Sequence, residues 1–222
     1  MSLVSAALLG LGLGVKHAFE ADHVAAVCAL VARRGTVARA AKTGALWGLG
    51  HGAVIIVAGG ALVLAGARVP GPLAAALDAA VAVMLVGLGI AALRRTSEGG
   101  SVGNGRNTAR GHMHDHESAH HGSTRRPILI GLVHGASGTA ALTLLVASTI
   151  PQRTEALAFI VLFGVASIFG MAAAAALLAW PLRKAALHAP AIARGLRGMA
   201  GVGSIAAGLM VAWIALTAAA IN

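Results

Sequence analysis

The sequence predicts an all-α polytopic membrane protein with six transmembrane helices, and three observations carry that expectation. Hydrophobic residues make up 58% of 222 residues against 11% charged, and mean hydropathy is +0.83, which places most of the chain in lipid. The apolar residues fall in runs of roughly the 20 that a spanning helix needs. The basic residues fall between those runs, where they report topology, so the formal charge of +10 does not point to a nucleic-acid partner. Cys28 is the one cysteine, which excludes an intramolecular disulfide, and no CxxC offers a zinc ribbon or redox pair.

The expected spans are Leu3 to Ala32, Ala41 to Ala67, Leu73 to Leu93, Ile128 to Ile150, Ala156 to Trp180 and Gly198 to Ile221. No basic residue precedes Leu3 to Val15, and the apolar character resumes up to Val31, so the first run reads as a retained span rather than a signal peptide. Arg68-Val69-Pro70-Gly71-Pro72 and Pro151-Gln152-Arg153 read as tight turns, and Pro181 and Pro190 bracket a short amphipathic link. Bases cluster after the first, third and fifth runs, at Arg33, Arg34, Arg39 and Lys42, at Arg94 to Arg126, and at Arg183 to Arg197. Only Arg68 and Arg153 lie on the other side, so the positive-inside rule puts both termini outside the cytoplasm.

Residues 1–95 thus hold the first three spans, 96–126 form a polar cytoplasmic loop, and 127–222 hold the last three. Gly14-Val15-Lys16-His17-Ala18 resembles Gly131-Leu132-Val133-His134-Gly135, and Val81 to Leu88 resembles Val202 to Leu209. Three spans separate each pair, which suggests a 3+3 inverted repeat of the kind that places a transport site at the repeat interface. The loop carries His112, His114, His116, His120 and His121 beside Asp115 and Glu117. Alternating imidazoles of this kind suit an accessory buffer or sensor for a late transition metal, and a solvated linker is the plainer alternative.

Lys16-His17-Ala18-Phe19-Glu20-Ala21-Asp22-His23 concentrates charge inside the first apolar run. Ionisable groups at membrane depth are costly unless paired, so such a cluster reads as functional. On an ideal helix His17, Glu20 and His23 share an arc roughly 120° wide while Asp22 points away. Asp22 then either orients a ligand histidine or joins the site through a local break in the helix. Lys16 lies four residues before Glu20, and a self-contained ion pair between them is the plainer alternative, which leaves Asp22 and both histidines without a reason. In the second run, Gly44, Gly48 and Gly52 form a smooth face beside His51; in the fourth, Gly131, His134, Gly135, Ser137 and Gly138 form a small polar stripe suited to packing on helix 1.

Asp78 reads as a solvated interfacial residue and Cys28 as a packing residue on the face of His17. Imidazole and carboxylate together favour late first-row divalent metals over alkali ions or Mg²⁺. Expected metal-binding residues are therefore His17, Glu20, Asp22, His23, His51 and His134.

His17 to His23 resembles the His-x4-Asp-His signature of the nickel/cobalt transporter family, and Gly50-His51-Gly52 resembles its second Gly-His segment. The His-Gly-x-x-Gly run at His134 to Gly138, and Glu20 where better-known members carry Asp, resemble the urease accessory protein H-like branch. Six expected spans rather than eight, and no later Asp/Thr-rich signatures, set the chain apart from typical members. The resemblance implies a bacterial inner-membrane nickel or cobalt permease whose His-x4-Asp-His residues hold the ion as cargo, with no permanent cofactor and no enzymatic activity. No Walker GxxxxGK[ST] run occurs, so any ATP drive would need another subunit.

A homo-oligomer and a cytoplasmic metal-receiving protein are the expected kinds of protein partner. Alternatives are a nickel/cobalt exporter, an intramembrane serine protease using Gly135-Ala136-Ser137-Gly138, and a membrane haem protein with His51 and His134 as axial ligands. The protease lacks a histidine in the last run, and the haem reading leaves His17 to His23 unexplained.

Overall fold

A computed structural model describes residues 2–31, 36–98, 124–136 and 146–221, and every regular element among them is helical. In chain order these are α1 (Leu3–His17), α2 (Ala21–Val31) and α3 (Val37–Val54), which runs through a π-helical turn (Ile55–Gly59) into α4 (Gly60–Ala65). Then follow α5 (Gly71–Glu98), α6 (Arg125–Gly135), α7 (Arg153–His188) and α8 (Pro190–Ile221). Polar side chains start the early helices: Ser2 Oγ accepts the Ser5 amide at 3.2 Å and Thr36 Oγ1 accepts that of Arg39 at 3.2 Å. Gly66, at φ 64°, closes α4 in the left-handed conformation that glycine adopts without strain.

Four stretches are long and apolar enough to cross a bilayer: Val37–Ala65, Gly71–Arg94, Arg153–Ala185 and Ala191–Thr217. The α1/α2 pair makes a fifth when counted as one span bent by 50°. Two expectations change here. The first span is broken, because residues 18–20 form a tight turn in which the Phe19 and Glu20 amides bond back to Lys16 and His17 at 3.0 Å. The fifth does not end at Trp180: α7 runs on through Pro181 to His188, since one proline removes only one helical bond, and Pro190 opens α8 at the position where its missing N–H costs nothing. Of the expected fourth span, the described residues are α6 and the helical turn at 146–148.

Large apolar side chains point outward along these helices, among them Val83, Phe169 and Trp213, each about 70% exposed at 74%, 70% and 69%. In lipid that arrangement is unremarkable, because the driving force for helix association is close packing rather than removal of apolar surface from water.

Glycine contacts set the packing. Gly10 and Gly14 of α1 lie against the backbone of Phe159 and Phe163, so α1 runs parallel to α7. Gly44, Gly48 and Gly52 lie against Met171, Ile168 and Gly164, so α3 runs antiparallel to α7. The α6 stripe meets α3, not α1 as expected: Gly131 touches the Trp47 carbonyl, and a Cβ on Gly135 would fall 2.6 Å from the His51 carbonyl oxygen. α5 and α8 form a separate antiparallel pair through Gly89, Gly201 and Gly208, tied by the buried Ser204 hydroxyl donating to the Leu85 carbonyl at 2.8 Å. α2 lies between, touching α5, α7 and α8.

Candidate metal centre

The break in the first span makes two helix ends inside the protein. α1 ends with His17 in its last turn, where the negative end of the helix dipole favours a cation; α2 begins with Asp22 in its first turn, where a carboxylate offsets the positive end. The Asp22 Oδ1 atom accepts the backbone N–H of His23 at 2.9 Å, so the carboxylate also caps the helix that carries it.

Four histidines converge on this break. His23, His51 and His134 are fully buried at 0% exposure and His17 nearly so at 4%. The His23 ring is central, with centroids 4.4 Å from His17, 5.0 Å from His51 and 4.3 Å from His134. Phe163 closes one side at 5.1 Å from His17, and Trp47 the other at 5.4 Å from His23 and 5.5 Å from His134.

The carboxylates decide which nitrogens carry protons. An ionised carboxylate only accepts, so His17 Nδ1–H donates to Glu20 Oε2 at 2.9 Å and His23 Nδ1–H donates to Asp22 Oδ1 at 3.0 Å. His134 Nε2–H donates to the other Asp22 oxygen at 3.0 Å. A neutral imidazole with one nitrogen so engaged presents a lone pair on the other. His17 Nε2 is thus an acceptor, and it lies 3.1 Å from His51 Nε2. His23 Nε2 and His51 Nδ1 are buried and have no hydrogen-bond partner among the described residues.

Polar atoms left so in a membrane interior are costly, and a metal ion bound to these lone pairs would offset that cost. Two groups are close enough to hold one: His17, His23 and His51, and Asp22, His23 and His134, with ligand atoms in each group within 4.8 Å of one another. Histidine ligands whose second nitrogen donates to a carboxylate are the usual construction of such sites.

Each of the six expected residues therefore lies at one place, although the ideal-helix projection had turned Asp22 away. The break rotates it inward, where it bridges two histidines. Lys16 does not neutralise Glu20: it is exposed, and the carboxylate bonds His17 instead. Cys28 is half-buried on α2, past the bend rather than on the continuing face of α1. A flat macrocycle between His51 and His134 would have to displace the His23 ring. Ser137 and the loop histidines His112, His114, His116, His120 and His121 lie outside the described residues.

Sequence reasoning overlooked Glu155, which is buried at 5% exposure in the first turn of α7, and the aromatic walls Phe163 and Trp47. Glu155 was legible as an acid at a predicted helix start; the aromatic residues carried no distinguishing pattern.

With this geometry in view, comparison with known proteins decides the family. The chain is 31% identical over 198 residues to the urease accessory protein UreH of Bacillus sp. (strain TB-90), covering 85% of this chain and 84% of that protein. The chain belongs to the UreH family. This is the branch that His134 to Gly138 and Glu20 resemble. That relative is named as an accessory protein, and the apolar helices of this UreH-family chain make it an integral membrane protein. No family model and no solved structure matches the chain.

Proposed function

We propose that this protein is a secondary permease that carries Ni²⁺ or Co²⁺ into the cell across the bacterial cytoplasmic membrane, with the centre at the helix break as its transport site. The observation that carries this reading is the convergence of His17, His23 and His51 inside the membrane-spanning bundle, two of them backed by carboxylates. Three imidazole nitrogens favour late first-row divalent ions over Mg²⁺ or Ca²⁺, which prefer oxygen alone. The membership in a urease accessory family agrees with nickel as one such ion.

Depth supports passage rather than surface capture. His17 lies beside Phe163, ten residues into α7, which is about 15 Å along the helix and about half of a ~30 Å hydrocarbon core. The pairing of helices supports the 3+3 repeat. Exchanging the first three expected spans with the last three turns the α1–α7 contact into the α6–α3 contact, and turns the His17–Phe163 pair into His134–Trp47. An inverted repeat around a midplane site is the architecture of alternating access. The loop histidines His112 to His121 then receive the imported ion on the cytoplasmic side before a metal-receiving protein takes it.

The test is nickel and cobalt uptake in cells that carry His17→Ala or Asp22→Ala at wild-type membrane abundance. Uptake at the wild-type rate in both variants refutes the assignment of the site. Direction is read separately: deletion of the gene lowers cellular nickel if the protein imports and raises it if it exports.

A further inference from the structure

Among the described residues, α1 packs chiefly on α7. Gly10 and Gly14 lie against Phe159 and Phe163, and Ala6 is buried on the same side. The opposite face is uncovered: Leu8 is 64% exposed, Val15 and Phe19 46% each, and Gly12 and Lys16 are exposed with them. Leu8, Gly12 and Lys16 succeed one another every fourth residue, so they form one row along the helix, and Glu20 follows just past its end. A Cβ added to Gly12 would meet no atom within 4 Å, so nothing inside the chain calls for a glycine there.

Depth makes this face costly. Gly14 lies against Phe163 and Ala166, ten and thirteen residues beyond the start of α7 at Arg153. Lys16 therefore stands about 15–20 Å along that span, in a hydrocarbon core of ~30 Å. The apolar stretch of α7 continues past this level to Ala185, so neither membrane surface is within reach of a lysine stem. An ammonium at such depth needs a counter-charge, and no ion pair to Lys16 occurs among the described residues. Glu20 accepts from His17 through Oε2 and its side chain is still 39% exposed. Two opposite charges thus face outward, one turn apart, inside the membrane.

We propose that two copies of this chain associate through this face, α1 against α1, with Lys16 of each copy paired to Glu20 of the other. Copies inserted in the same sense are related by a two-fold axis along the membrane normal, so the two α1 helices run parallel and a Lys16–Glu20 pair made once is made twice. Lipid tails cannot neutralise the pair of charges, whereas a second copy presents both partners at the required depth. Gly12, one turn before Lys16 on the same row, lets the two backbones approach closely, as small residues do where membrane helices cross. The assembly also reaches the metal centre, because the partner's Lys16 meets the carboxylate that holds His17.

Cross-linking in native membranes tests the interface. In a Cys28→Ala background, the full chain carrying Val15→Cys is treated with a short bifunctional thiol reagent, with Met210→Cys, 65% exposed on α8, as the control. Val15→Cys is expected to give a band at twice the chain mass in at least fivefold greater yield than Met210→Cys. Adding Lys16→Glu or Glu20→Lys should lower that yield at least fivefold. Co-expression of these two charge-reversed chains under different tags should restore it in the mixed dimer, where opposite charges again face each other at both positions. Yield no higher than the control, or a mixed pair no better than either reversed chain alone, overturns the proposal. Labelling of Lys16→Cys by a membrane-impermeant thiol reagent without dimer formation assigns the face to a water-filled opening and overturns it as well. Should a charge-reversed chain be lost from the membrane, subunit counting by photobleaching of the labelled Cys28→Ala parent in bilayers decides: two steps support the dimer and one step refutes it.

Discussion

The two faces of α6 differ in how closely they meet their neighbours. Toward α3, α6 presents Gly131 and Gly135, and Gly50 of α3 answers against the Ile128 carbonyl, so backbone meets backbone and little can shift. Toward α5 it presents Leu129 and Val133 across an apolar groove. The tight face carries His51 and His134, which point at one centre, and the open face borders helices that carry no ligand. A bundle in lipid gains most from close approach, so the distribution of glycine marks which helices form one body. The lesson is that the closest backbone packing of α6 lies on the face that brings His134 beside His51, and the looser packing on the opposite face.

Mutations at the tight face and around it sharpen that contrast. The largest effect is expected for His23→Ala, which removes the ring that three other histidines surround; nickel affinity measured by titration of purified protein should fall by more than about 100-fold. Asp22→Asn leaves the ligands but replaces an oxygen pair that accepts from both His23 and His134, so affinity should fall roughly 10–100-fold; an unchanged titration would show that the bridge is incidental.

Gly135→Ala puts a methyl group 2.6 Å from the His51 carbonyl oxygen. The crossing must widen, at a cost of about 1–3 kcal/mol read as a lower Tm in detergent, together with weaker nickel binding. By contrast, Ala80→Ser on the open face should leave Tm and affinity unchanged within error. Glu20→Gln keeps a side-chain acceptor for His17 at a site that is 39% exposed, and a few-fold loss of affinity is expected. Smallest is replacement of His112, His114, His116, His120 and His121 by Ser, which should lower the number of nickel ions bound per chain while leaving initial uptake intact.

Much of the site was legible because lipid makes charge conspicuous. A lysine, two histidines and two carboxylates within eight apolar-flanked residues needed an explanation, and Gly-His pairs in two other runs offered partners. Regularity left the role of Asp22 open. Projecting residues 16–23 on one ideal helix turns Asp22 outward, so that only a local break brings it into the site, and the turn at residues 18–20 is that break, which resets the phase of everything after it. Periodicity carries no information across a break, and Ala18-Phe19-Glu20 contains neither glycine nor proline to announce one.

By itself the sequence determined the membrane class, the charged cluster and the six residue identities, since each follows from composition and the cost of polar groups in hydrocarbon. Tertiary structure decided which helix each glycine stripe meets, and hence that His134 comes in beside His51 and not beside α1. It also decided that Asp22 bridges two histidines. These depend on the shape of facing surfaces, and in Ala- and Gly-rich helices many faces look alike until two of them are brought together.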